Sequence, residues 1–464
     1  MLLHTMSYLK HSPFIPDVLR HLELSFCDYL PLDSILYPSR KSKLVKYARK
    51  RLIPAIRAIG LADYWSPDSR IRAALKRLDR LSSIDLVWFP PSQPAKCPLA
   101  LSLASNLSVA WTASYETLRS LSLTFHCTPL HGTPLPRDVK FPNLSDFKLC
   151  ICETRSIAFE GPEAHWDSRG IAQFFVNHRS TIQRLTLSLS PPWLAAKILG
   201  DMPYLESLVA LSLTFSLAQN PIIFPSLVAF LNAHSHIIKS YRINIHSYGA
   251  HFHELNSLGS IPGFLKMLLP FSRLDYLSIS MSTHYLFSFV SKIDFPVQTL
   301  SVGSQLEFVE LQELTAILKS SSSGAHLQNL YLCMEQADAG LLCLLASSFP
   351  SLKSLWIKYS CIWEYNATEV YDPFRLAAGD LSRMELNQWD PEKFYLERCF
   401  GESDHRSFRN DEEYCTALLH ALPRVQYFNG LPRGFDGWID RDVDISETPW
   451  FFEPYRTSRP EPEL

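Results

Sequence analysis

Glycine is scarce in this chain, with 16 residues among 464. No Gly-x-Gly-x-x-Gly or Gly-x4-Gly-Lys-Ser/Thr loop occurs, which removes the usual phosphate cradles. There is also no Gly-x-Ser-x-Gly elbow, no His-Glu-x-x-His pair and no paired Cys-x-x-Cys, so the common nucleophilic and zinc-hydrolase signatures are missing. A surplus of positive charge is lacking too. Forty-four basic side chains face 46 acidic ones, for a net charge of −2, and a nucleic-acid partner is not expected because phosphate neutralisation needs a basic excess. No uninterrupted apolar run reaches the ~18 residues of a membrane span. The N-terminal residues 1–10 are too short and too polar for a secretory signal. Charged residues amount to 19% and hydrophobic ones to 47%, which rules out bulk disorder.

The ten cysteines avoid the spacing of a disulfide framework. Most lie in apolar strand-like runs, as in Leu149-Cys150-Ile151-Cys152. They read as buried reduced thiols in a cytoplasmic or nuclear protein. Asn106, Asn143 and Asn366 open glycosylation acceptor triplets, which have no meaning without a secretory route.

What is present is a recurring pattern: apolar-x-x-apolar-x-apolar. It starts at Leu19, Leu81, Leu118, Leu144, Ile182, Leu208, Ile238, Leu274, Val297, Leu327, Leu352 and Leu381. From Leu118 to Leu381 the mean spacing is about 29 residues, at the upper edge of the 20–29 of leucine-rich repeats. The second and third apolar residues alternate with polar ones and share one face of a short strand. A single repeat cannot bury that face, but stacked repeats can. Helical patterns lie about ten residues upstream, at Ile171, Trp193, Leu227, Ile261, Tyr285, Val309 and Leu341. Phe-Pro pairs at Phe141, Phe295 and Phe349 announce three strands.

The expected fold is therefore α/β: a leucine-rich-repeat solenoid, or horseshoe, with a parallel concave β-sheet and helices on the convex face. Residues 1–389 form the irregular solenoid, with a helical insertion at about 44–65. Residues 390–464 form a C-terminal cap and a partly disordered tail, and the stretch from Leu418 resembles a last degenerate repeat. In leucine-rich repeats Asn or Cys stands three places after the third apolar residue and bonds the turn backbone. Here Cys27, Cys152, Ser190, Ser216, Ser282, Ser360 and His246 occupy it in seven repeats, so the turn ladder is expected to be imperfect.

Phrases such as 174–189, 349–357 and 419–428 resemble the F-box/leucine-rich-repeat-like proteins abundant in fungi. The resemblance covers most of residues 15–430 and rests on apolar spacing. It implies a repeat array that holds a substrate protein, and an N-terminal F-box that docks on a ubiquitin-ligase adaptor. No Leu-Pro-x-Glu-Leu-like opening precedes Leu19, so the F-box is expected to be lost or to lie upstream of Met1.

The expected function is non-catalytic capture of a partner protein on the concave face, with no cofactor. The alternative is the substrate-recognition subunit of an SCF-type ubiquitin ligase, and an unrecognised enzyme or metal protein is the second alternative. Motif positions three, five and seven face the partner. In the early repeats they are small: Ser120, Ser122, Thr124, Thr186, Ser188, Ser212 and Thr214. Later they become Arg242, Tyr276, Tyr331, Trp356, Lys358, Arg383 and Glu385, and Tyr, Trp and Arg dominate interface energetics. Cross-strand packing between repeats is the competing explanation for the aromatic ones. His234, His236, His246, His251, His253 and Glu254 concentrate imidazoles within twenty residues, but without a ligand signature they read as loop histidines holding no metal.

Overall fold

The computed structural model describes residues 21–26, 81–88, 111–127, 135, 139–153, 168–190, 192–217, 223–247, 267–281, 283–291, 297–320, 326–361, 389, 391–398, 418, 421–422, 424–428 and 431–432. The chain divides into two compact units, Met1–Leu327 with Tyr331–Cys333, and Gln328–Leu330 with Met334–Leu464.

The first unit holds β1 (His21–Phe26), β2 (Ser83–Trp88), β3 (Ser120–Cys127), β4 (Asp146–Glu153), β5 (Arg184–Leu189), β6 (Ala210–Leu217), β7 (Ser240–Ser247), β8 (Tyr276–Ser280) and β9 (Thr299–Leu306). They pair in chain order, every pair parallel. Helices α1 (Ser168–His178), α2 (Pro192–Asp201), α3 (Ile223–His234), α4 (Thr283–Val290) and α5 (Phe308–Ser320) fall between strands. β10 (Asn329–Gln336) straddles the division. The second unit holds α6 (Ala339–Ser348), β11 (Ser354–Cys361), β12 (Lys393–Arg398), β13 (Tyr427–Phe428) and β14 (Leu431–Pro432). There β11, β12 and β13 pair in parallel and β13–β14 is antiparallel. Parallel strands paired in sequence order, with helices in the connections, are consistent with a solenoid-like repeat fold.

The alternation read from the sequence is the burial pattern. In the motif that leads into β3, Leu118, Leu121 and Leu123 are fully buried, as are Leu144, Phe147 and Leu149 one repeat later. The residues between them are half-exposed or, at Arg119, exposed. Against Phe147 pack Phe174 and Phe175 of α1, ring centroids 4.7 and 5.5 Å away. One backbone contact recurs at each joint of the first unit from β2–β3 to β8–β9. The carbonyl of motif position two accepts from the N–H groups of positions two and three of the next repeat: Ser82 from Arg119 and Ser120, Arg119 from Ser145 and Asp146, and Ser145 from Gln183 and Arg184. Register is thus fixed before each strand begins, and the inward face cannot slip to the outside.

One expectation changes here. The strand paired with β11 is β12, with Ser354 opposite Lys393. It was not anticipated because Pro391 stands where the first apolar residue should be; Phe394 and Leu396 fill the other two buried positions. The Leu381 motif lies outside the described residues, as do the insertion at 44–65 and the helical pattern at 261–266. Polar side chains also tie the segments that precede the strands, while of the seven turn positions expected after the strands only Cys152 and Ser190 fall among the residues whose side chains are described. Nδ1 of His178 donates to the Phe174 carbonyl at 2.7 Å, while Nε2 accepts the Phe141 N–H at 2.9 Å. His234 repeats this, to the Phe230 carbonyl at 2.7 Å and the Leu205 N–H at 2.9 Å. Each histidine stands four residues before its own motif and holds the residue three before the preceding one. Trp389 reaches the equivalent residue in the second unit, Nε1 donating to the Phe349 carbonyl at 3.2 Å. Asn143 and Ser207, each just before a motif, donate to the carbonyls of Glu116 (2.6 Å) and Ser180 (2.8 Å). The bonds of His178, His234 and Trp389 satisfy buried backbone groups that no sheet ladder reaches.

Candidate functional site

The outward face of the first unit is built from motif positions three, five and seven. Strand register lines them up as rows. Position five runs Asp85, Ser122, Lys148, Thr186, Ser212, Arg242, Ser278 and Ser301. Short hydroxyl side chains dominate, so the face is low in relief and polar. Charge appears where Arg184 meets Asp146 across β4–β5, Nε to Oδ2 at 3.1 Å. Gly303 occupies position seven of β9, where a Cβ would come within 3.0 Å of the Ser280 Cβ.

Of the residues singled out from the sequence, Arg242 and Tyr276 come together. Arg242 Nη2 donates to the Tyr276 hydroxyl at 3.4 Å. Both are half-exposed on β7 and β8. Tyr331 is half-exposed on β10. In the second unit Trp356 and Lys358 share the outward face of β11. Trp356 stacks on Tyr395 of β12 at 4.8 Å between centroids and 15° between planes. Lys358 Nζ meets Glu397 Oε1 at 3.2 Å. Tyr395 and Glu397 sit directly opposite Trp356 and Lys358 in the register, and sequence reading missed both because Pro391 hid the repeat they belong to. Burial raises the Tyr395 phenol above its ordinary pKa. The cross-strand packing weighed for Trp356 is therefore real, yet both rings remain half-exposed. Arg383 and Glu385 lie outside the described residues.

His234 is a fully packed helix-end residue, stacked 5.0 Å from Tyr204. Its neighbour His236 is exposed and its Nε2 lies 3.0 Å from the Tyr204 hydroxyl. Among the described residues no group of three or more His, Cys, Asp or Glu side chains converges in a way that could hold a metal ion. Among the same residues, no helix is long and apolar enough to cross a membrane. Cys150 and Cys152 correct the expectation of buried thiols. Ile151 between them is buried, and both thiols occupy half-exposed outward positions with Sγ atoms 3.6 Å apart.

The geometry defines a class: parallel strands paired in chain order, consistent with a solenoid-like repeat fold, with a polar outward face on the first unit and an aromatic and charged cluster on the second. No family model and no curated protein matches the sequence. Among solved structures, the crystal structure of the Rad7 and Elc1 complex in yeast is similar at 14% identity, with a TM-score of 0.35, covering 64% of this chain and 76% of that chain. A match at that score leaves both fold and function to be argued from this chain's own residues.

Proposed function

We propose that this chain is a non-catalytic protein-interaction module that captures a partner on the outward face of its parallel strands. We place that face on the concave side of a leucine-rich-repeat horseshoe, with the helices on the convex side. The observation that carries the reading is the Trp356–Tyr395 stack, half-exposed on a strand face and flanked by the Lys358–Glu397 ion pair. Rings held rigid by a neighbour lose little entropy on binding and present a large flat area, the pattern of interface anchors. Arg242 with Tyr276 offers a second anchor of the same chemistry on the first unit. The serine and threonine rows supply hydroxyls that donate or accept, suited to a polar rim.

The test is affinity capture with mass spectrometry, comparing the wild-type chain with a Trp356→Ala/Tyr331→Ala variant. A protein enriched by the wild type and lost from the folded variant supports the reading; identical recoveries oppose it. Recovery of a ubiquitin-ligase adaptor in the same experiment, insensitive to both substitutions, would give the module the substrate-recognition role that the fungal resemblance implies.

A further inference from the structure

Cys150 and Cys152 are two residues apart on β4, so their side chains leave the same face of the strand. Their Sγ atoms stand 3.6 Å apart. Two fates are open to such a pair, and distance decides between them. A disulfide needs Cβ atoms within about 4.5 Å, whereas same-face positions i and i+2 of an extended strand are about 6.6 Å apart. Closing the bond would buckle β4, which is hydrogen-bonded on both edges to β3 and β5. A zinc ion holds each thiolate at about 2.3 Å, which sets tetrahedral sulfurs about 3.8 Å apart. That spacing is nearly present already, with no strand movement.

We propose that Cys150 and Cys152 form a two-thiolate site for a thiophilic d10 cation of the zinc class, with the remaining coordination positions open to water or to a donor from outside the chain. The balance is simple: two thiols and one dication give a neutral bis-thiolate complex and two released protons. Soft thiolate pairs select such ions over magnesium or calcium.

The reduced, chelator-treated full chain should be titrated with cadmium ion, following the thiolate-to-metal ultraviolet band and the protons released. The wild type is expected to take up one ion per chain more than Cys150→Ser/Cys152→Ser, with two protons released for that ion. Equal stoichiometry in the two folded proteins would overturn the site. A second measurement needs no variant: phenylarsine oxide, which requires two thiols within bridging distance, is added to the native chain before digestion. A bridged adduct on the peptide containing both cysteines supports the proposal, and its absence from that peptide refutes it.

Discussion

Replacing His234 with leucine tests the joint between repeats. The imidazole is 1% exposed. It accepts the Leu205 N–H of the preceding repeat at 2.9 Å and donates to the Phe230 carbonyl at 2.7 Å. Leucine fills a similar apolar volume and restores neither bond. The Phe230 carbonyl lies within α3, where it has a helical partner; the Leu205 N–H is left without one. An unsatisfied buried N–H costs about 1–3 kcal/mol, and loss of the ring stacks on Tyr204 and Phe230 adds about 0.5–1 kcal/mol. The expected destabilisation is thus about 1.5–4 kcal/mol, concentrated at one joint. Urea unfolding should show a lower midpoint, and amide exchange should accelerate at Leu205 far more than in β3 or β4. Unchanged protection at Leu205 would refute the claim that histidine side chains tie consecutive repeats.

Acid should weaken the same joints. Burial is the largest influence on His178 and His234, and it lowers both below the ordinary imidazole pKa. The unfolded chain takes up protons near 6.5 while the folded chain resists, so stability is complete above about pH 6.5 and falls as pH drops below it. A His178→Gln/His234→Gln variant should show a shallower decline in unfolding midpoint over that range; an equally steep decline would assign the effect to other groups. Tyr241 is fully enclosed, burial raises its pKa, and its hydroxyl has no hydrogen-bond partner. Tyr241→Phe should therefore leave stability unchanged or raise it by about 1 kcal/mol, read from chemical denaturation. Lys358 and Glu397 are 47% and 33% exposed, so Lys358→Ala should cost less than about 1 kcal/mol of stability, and any large loss of partner affinity in that variant would report a direct contact.

The strands were legible because a period of two survives irregular spacing: Leu118, Leu121 and Leu123 announce their burial by position alone. Helices α1 to α6 were legible because each packs an apolar stripe upstream of a strand. The joints were not. Leucine-rich repeats carry a polar ladder after the strand; this chain also bonds before the strand, with His178, His234, Asn143 and Ser207 reaching back to the preceding repeat. A histidine four residues before a motif is a visible signal once the joint is known, but two occurrences in twelve motifs do not declare it. β12 was hidden because Pro391 breaks the apolar pattern, and with it went Tyr395 and Glu397. Cys150 and Cys152 sounded apolar in composition, but their outward parity in β4 was readable from buried Leu149 and Ile151.

The central claim is that the outward strand face binds a protein through its aromatic cluster. The direct measurement is calorimetric titration of the captured partner into the wild-type chain and into a Trp356→Ala/Tyr395→Ala variant shown by circular dichroism to be folded. The account predicts at least a tenfold loss of affinity, the 1.4 kcal/mol expected when an anchor of this kind is truncated. Equal affinity for the two folded proteins would contradict it.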